Sequence, residues 1–165
     1  MTKTPLALHI SKAEINQLPM RKYEGPIHVI QTADDAKRAA EKLSMETLLG
    51  FDTETRAAFR VGESYDPSLL QLASADHVFL FQIKLTGLVP ELCEILSNPN
   101  ILKTGVSIRD DVKELRKLSP FEPAGFVELA TYAKKSKIKN LGLRGMGALL
   151  LGFRISKKEQ ISNWG

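Results

Sequence analysis

Asp52 and Glu54 stand one residue apart at the end of Leu48-Leu-Gly-Phe-Asp-Thr-Glu-Thr55. Leu48, Leu49 and Phe51 make a short apolar run of the kind that suits a strand buried on both faces. Side chains alternate faces along a strand, so the two acids point the same way. Carboxylates held together repel and shift each other's pKa. A divalent cation removes that cost, and hard oxygen ligands on a rigid strand suit Mg²⁺ or Mn²⁺. A lone D-x-E triplet is also what a solvated strand end looks like. A second acidic pair, Asp110-Asp111, strengthens the metal reading, although on its own it would serve simply as a helix cap.

The elements that must position these acids follow from the pattern around them. Residues 1–26, punctuated by Pro5, Pro19, Gly25 and Pro26, read as an extended arm. Ile27–Ile30 reads as a short strand, and Thr32 as the N-cap of a helix with Asp34 and Asp35 in its first turn. The central strand at 48–55 is followed by a loop through Gly62 to Pro67, a natural wall for a substrate pocket. Leu69–Ala73 and Val78–Ile83 read as strands joined by a turn at Ser74–His77. A helix over Leu88–Leu96 stops at Asn98-Pro99, Ile101–Ile108 reads as a strand, and Asp111–Leu118 as a helix. Phe126–Ala133 suits either a strand or a helix start, and Leu141–Leu151 reads as an apolar helix. Strands followed by helix, strand and helix predict an α/β fold, a mixed sheet with helices on its faces.

At 165 residues the chain suits one domain with a real core. No apolar stretch approaches the roughly 20 residues that span a bilayer. The N-terminus lacks the apolar core of a signal peptide, which predicts an intracellular, cytoplasmic protein with no membrane partner. The single cysteine, Cys93, has no partner for an internal disulfide and reads as a packing residue. The absence of Cys/His clusters argues against a zinc site, and the absence of a dinucleotide fingerprint or P-loop assigns no nucleotide cofactor. A net charge of +4 and a pI near 9.2 favour a polyanionic partner.

In this order and spacing the motifs carry a resemblance. Gly50-Phe-Asp-Thr-Glu-Thr55, Ser68-Leu-Leu-Gln-Leu-Ala73, Val78-Phe-Leu-Phe81, Lys103-Thr-Gly-Val-Ser-Ile-Arg-Asp-Asp111 and Ser162-Asn-Trp164 resemble the DEDD 3′–5′ exonucleases. The branch they resemble is that of ribonuclease D and the Werner-type exonuclease. The resemblance covers residues 27–165, which makes 1–26 an arm and 27–165 the exonuclease domain. It implies a ribonuclease H-like sheet and a two-metal mechanism using two Mg²⁺ or Mn²⁺ ions about 3.5–4 Å apart. By the family pattern Asp52 would bridge the ions, Glu54 would hold the metal that activates water, and Asp111 would hold the other. Asp110 would be a cap or bystander. In the family a Tyr-x-x-x-Asp helix follows the Ser-Asn-Trp block, and this sequence stops at Gly165 before it. The general-base tyrosine, the fourth carboxylate and the last helix are therefore expected to be missing, and the 165-residue chain to be nearly inactive.

The remaining candidates concern substrate, a single-stranded 3′ end of DNA or RNA. The backbone of Thr53 and Thr55 could meet the terminal nucleotide; each residue also suits a strand for its β-propensity alone. Phe59 could stack on a base, or sit buried. Lys134, Lys135, Lys137 and Lys139, with Arg144, could track phosphates, or form a solvated loop. Two rivals stand beside the exonuclease. One is a non-catalytic nucleic-acid-binding module of the same fold, which a genuine stop codon after Gly165 would favour. The other is a glycosyltransferase holding a sugar nucleotide through its acidic motif, against which the second acidic site and the Ser-Asn-Trp block count.

Overall fold

The structure is a computed structural model and describes residues 7–55 and 65–156. Among these residues six strands form one sheet: β1 (Ile27–Ile30), β2 (Leu48–Thr55), β3 (Pro67–Ala73), β4 (Val78–Gln82), β5 (Leu102–Gly105) and β6 (Phe126–Glu128). Their order across the sheet is β1-β4-β3-β2-β5-β6. β2 with β3 and β3 with β4 pair antiparallel, whereas β1 with β4, β2 with β5, and β5 with β6 pair parallel. The mixed α/β sheet expected from the sequence is therefore what forms, with β2 in its interior.

The helices of this sheet unit are α2 (Ala33–Leu43), α3 (Ile83–Thr86), α4 (Pro90–Ser97) and α5 (Ile108–Leu118). α2 begins where Thr32 accepts the Asp35 N–H at 3.1 Å, and it ends in a polar face and a buried stripe of Ala36, Ala39, Ala40 and Leu43. That stripe joins Leu92, Ile95 and Leu96 of α4, and Ile108, Val112 and Leu115 of α5, in one core. The sheet contributes Ile30, Leu49, Phe51, Leu70, Leu72, Phe79 and Phe81, all on one face by register. Each such side chain contributes about 1.5–3 kcal/mol when fully buried. Cys93 packs against this core, as its lack of a partner suggested.

Burial on both faces of β2 is not observed. Leu49, Phe51 and Thr53 are buried, but Leu48 is 55% exposed and Asp52 is also exposed. The core lies against one face only, so the strand shows a half-buried alternation. β5 is also shorter than the run to Ile108. Ser107 takes a left-handed conformation at φ 62°, which ends the strand and lets α5 start at Ile108. Likewise β4 stops at Gln82 because Ile83 opens α3.

Lys103 of β5 turns into the core and is fully buried. Its Nζ donates to the carbonyls of Ile95 and Asn98, at 2.9 and 2.8 Å, at the end of α4. It also lies 5.1 Å from the centre of the Phe126 ring. The orphan carbonyls of a helix C-terminus are thus satisfied by a cation, which the helix dipole favours.

The chain divides into two compact units. Among the described residues, one runs from Gly25 to Glu128 and holds the whole sheet; the other gathers residues 7–24 and 129–156. In this second unit the stretch expected as an extended arm contains α1 (Lys12–Gln17), closed by a reciprocal capping box between Ser11 and Glu14. α6 (Leu129–Lys135) and α7 (Leu143–Leu151) complete it. The lysine-rich segment ends α6 in a tight cap. Lys137 N donates to Lys134 O at 3.0 Å and Ile138 N to Ala133 O at 2.9 Å, with Lys137 left-handed at φ 61°. That is a Schellman motif with lysine where glycine is usual.

Candidate active site

β2 delivers the first two acids. Alternation sends Leu49, Phe51 and Thr53 to the core face and leaves Asp52 and Glu54 on the opposite face. The pairing with β3 slips at the end of the strand: Glu54 pairs with Leu69 and Thr55 with Pro67, so Ser68 is the extra residue of a bulge. The buried Ser68 hydroxyl donates to the Glu54 carbonyl at 3.2 Å, which satisfies a group that the slip would otherwise strand. A bulge re-aims the side chains at a strand end, here those of Glu54 and Thr55.

The third acid arrives through a sharp turn. β5 ends at Gly105, where a Cβ would stand 2.4 Å from the Phe51 carbonyl oxygen and 2.5 Å from Ile108 Cγ2. Only glycine permits that approach. α5 then begins at Ile108 and carries Asp110 and Asp111 in its first turn. The Thr53 hydroxyl donates to Asp111 Oδ1 at 2.5 Å, a bond between residues 58 apart in sequence. The structure thus brings Asp111 to the strand that carries Asp52 and Glu54.

The Asp111 charge reaches both acids of β2. Burial pushes the Asp52 carboxyl up to about 6; the Glu54 charge adds to this, the Thr53 backbone N–H opposes it, and the Asp111 charge adds a little more. Glu54 is raised by burial and then by Asp111. Asp111 is raised first by burial; the Thr53 hydroxyl counters this, and Asp110 and Glu128 add to it. No ion pair among the described residues includes Asp52, Glu54 or Asp111. Among those residues, too, no three His, Cys, Asp or Glu side chains are gathered tightly enough to form a ready cation cage. The donor set nevertheless suits a hard cation, which would relieve the repulsion that adds to the rise of Asp52 and Glu54.

Glu128 has no place in the acidic motifs of the sequence, yet it belongs to this neighbourhood. Its Oε2 accepts the Ile108 N–H at 3.0 Å, at the first residue of α5. No local pattern announces it, because the partner lies twenty residues earlier and the two meet only through the pairing of Gly105 with Glu128.

The substrate candidates are distributed differently. Thr53 is buried with its hydroxyl committed to Asp111, and Thr55 is exposed at the end of β2. Phe59 and the Ser162-Asn-Trp164 block lie outside the described residues. Lys134, Lys135, Lys137 and Lys139 are all exposed, and they belong to the unit that does not contain the acids. Arg144 opens α7, where its Nη2 donates to Asn16 at 2.9 Å. No helix of the described residues is long and apolar enough to cross a membrane.

A mixed sheet of this order, with acids on its central strand and on the helix after the next parallel strand, defines the ribonuclease H-like class of α/β folds. The chain belongs to the 3′–5′ exonuclease family, whose sequence model matches residues 27–165. It is 29% identical to the mouse bifunctional 3′–5′ exonuclease/ATP-dependent helicase WRN, over 90% of this chain and 11% of that protein. It is 26% identical to the human exonuclease mut-7 homolog, over 93% of this chain and 22% of that protein. The chain therefore spans only a minor part of these relatives. Its fold matches the exonuclease domain of Nibbler from Aedes aegypti with a TM-score of 0.75 at 20% identity, covering 88% of this chain and 77% of that one.

Proposed function

We propose that residues 27–165 form the catalytic domain, preceded by an arm at 1–26, of a metal-dependent exonuclease. It removes nucleotides from the 3′ end of single-stranded DNA or RNA. The observation that carries this reading is the bond from the Thr53 hydroxyl to Asp111, which brings the third acid to the strand that carries Asp52 and Glu54, in a chain of this family. Three carboxylates kept close without a neutralising side chain among the described residues cost stability, and a hard cation is the partner that offsets the cost.

Asp52, Glu54 and Asp111 would hold two Mg²⁺ or Mn²⁺ ions, with Asp52 shared between them. When bound, such ions supply an activated water and stabilise the leaving oxygen of the phosphodiester. The chain's own contribution is to aim the ligands. Thr53 fixes one oxygen of Asp111, which leaves Oδ2 for a cation. The bulge at Ser68 sets the direction of Glu54 on the rigid β2 backbone. Thr55, exposed at the end of β2, would meet the terminal nucleotide through its backbone. The exposed Lys134, Lys135, Lys137 and Lys139, and Arg144, would contact phosphates without reading sequence.

The test is degradation of 5′-labelled single-stranded DNA and RNA by the full-length gene product, with Mg²⁺, with Mn²⁺ and with chelator. A metal-dependent ladder that shortens from the 3′ end is expected. Binding without any shortening would replace this reading with the non-catalytic module, and internal cuts or shortening from the 5′ end would refute it.

A further inference from the structure

We propose that Glu128 is a positioning residue for Asp111: from the end of β6 its carboxylate anchors the first turn of α5, and with it the acid that this turn presents beside Asp52 and Glu54. The inference rests on the exonuclease reading above and names a residue that the acidic motifs do not contain.

The first N–H groups of a helix need acceptors from outside it, and a side chain at the N-cap usually supplies one. α5 lacks that device. Its N-cap, Ser107, sits left-handed at φ 62° and ψ 34°, and its side chain makes no capping bond. Glu128 fills the gap from another strand, accepting the Ile108 N–H at 3.0 Å. Parallel pairing of β5 and β6 sets Glu128 opposite Gly105, the residue from which the turn departs.

The turn has no slack. Gly105 is pressed against the Phe51 carbonyl and the Ile108 side chain, so a shift of Ile108 has to move the helix start as a body. Asp111 is three residues further along the same turn. Thr53 holds its Oδ1 from β2 at 2.5 Å, and Glu128 holds the Ile108 N–H at the start of the same turn from β6. Asp111 is thus fixed between two strands that flank β5.

A neutral acceptor would satisfy Ile108 equally well, so the charge of Glu128 needs its own account. Its carboxylate adds a negative charge that Asp111 feels. In an empty site that charge is a liability; with divalent cations bound it adds to the field that retains them. Outer partners of this kind typically change metal affinity or activity by about 10–100-fold when removed.

Glu128→Ala and Glu128→Gln in the full-length gene product separate anchor from charge. Three readouts are taken: 3′-nucleotide release against Mg²⁺ concentration, Mn²⁺ binding from the spin-resonance signal of free Mn²⁺, and the unfolding midpoint. For Glu128→Ala, kcat and Mn²⁺ affinity should each fall about 10–100-fold while the KM for nucleic acid stays close to wild type. Glu128→Gln keeps an acceptor for Ile108, so it should recover most of kcat but still bind Mn²⁺ about fivefold more weakly, the size of one partly screened charge. A folded Glu128→Ala protein with wild-type kcat and Mn²⁺ affinity, whatever its midpoint, overturns the proposal. Should Glu128→Ala not fold, Glu128→Asp decides, since it keeps the charge but is too short to reach the Ile108 N–H: weakened Mn²⁺ binding supports the proposal and wild-type binding overturns it. If the wild type releases no nucleotide, the exonuclease reading fails, and the Mn²⁺ comparison still tests the role of Glu128.

Discussion

Asp52→Asn should stabilise the metal-free protein at neutral pH while abolishing hydrolysis. Asn has nearly the shape of Asp and cannot ionise. In the native chain Asp52 is raised from 3.8 to about 6, by burial first and by the Glu54 and Asp111 charges after it. A raised carboxylate binds its proton more tightly in the folded state than in the unfolded one. Between those two pKa values the unfolded state therefore holds fewer protons, and stability falls as pH rises. The penalty is absent below about pH 4, grows up to about pH 6 and is constant above that.

The unscreened value of such a rise is roughly 3 kcal/mol. The Asp52 carboxyl is only partly withdrawn from water and the residue as a whole is exposed, so screening reduces that to about 1 kcal/mol. For a chain of this size about 1 kcal/mol moves the unfolding midpoint by roughly 2–4 °C. Thermal melts of both proteins in chelator, from pH 4 to pH 8, should show no difference at the acid end. Above pH 6.5 they should show an advantage of that size for Asp52→Asn. Adding Mn²⁺ should raise the wild-type midpoint and leave the variant unmoved. A variant less stable than wild type at pH 7.5 in chelator, or a gap independent of pH, would refute the electrostatic argument. Wild-type turnover by Asp52→Asn in the full-length product would refute its catalytic role.

Three further substitutions test the supporting structure. Thr53→Val keeps the volume but removes the donor to Asp111; it should cost about 1.5–3 kcal/mol in urea denaturation, and it should raise the Asp111 pKa further, so that Mn²⁺ binding weakens most below neutral pH. Gly105→Ala should cost about 1–3 kcal/mol or more by the same measurement, because its Cβ would meet the Phe51 carbonyl oxygen at 2.4 Å, and a wild-type midpoint would show the turn to be misplaced. Lys137→Gly relieves a left-handed lysine in the α6 cap and should stabilise the protein by about 1 kcal/mol, yet, if the lysines contact phosphates, it should weaken nucleic-acid binding and lower the salt slope by about one, as fluorescence anisotropy would report.

Local signals made much of the fold legible. Thr32 before an amphipathic stretch announces α2, Asn98-Pro99 ends α4, and Ser74 to His77 closes a hairpin through the bond from Ser74 N to His77 O at 2.9 Å. Ser11 with Glu14 is a capping-box signature too, and the helix inside the expected arm follows from it. What local chemistry does not reveal is where tertiary packing overrides it. Val106 and Ile108 are sound strand formers, but the chain leaves the sheet after Gly105 and Ser107 adopts a backbone angle that serine rarely takes. Lys137 is equally silent, because the residue that marks a Schellman motif in a sequence is glycine. Glu128 is silent for a third reason: its role depends wholly on the register of two strands.

The site itself was half legible, and strand alternation explains which half. In Asp52-Thr-Glu54 the period of two gives both acids to one face, and this alone marks them as a pair. The same period gives the Thr53 side chain to the other face, so that side chain cannot meet a nucleotide bound at the acids. Its buried hydroxyl needs a partner on the core side. In this fold the core side of β2 faces α5, whose Ile108 and Val112 join Phe51 in one cluster. The first turn of that helix brings Asp111, and the hydroxyl finds its acceptor there. The triplet therefore does two jobs from opposite faces of one strand: it presents two carboxylates outward and ties the third in from behind. Asp111 is identified by what Thr53 requires as well as by the acids it joins.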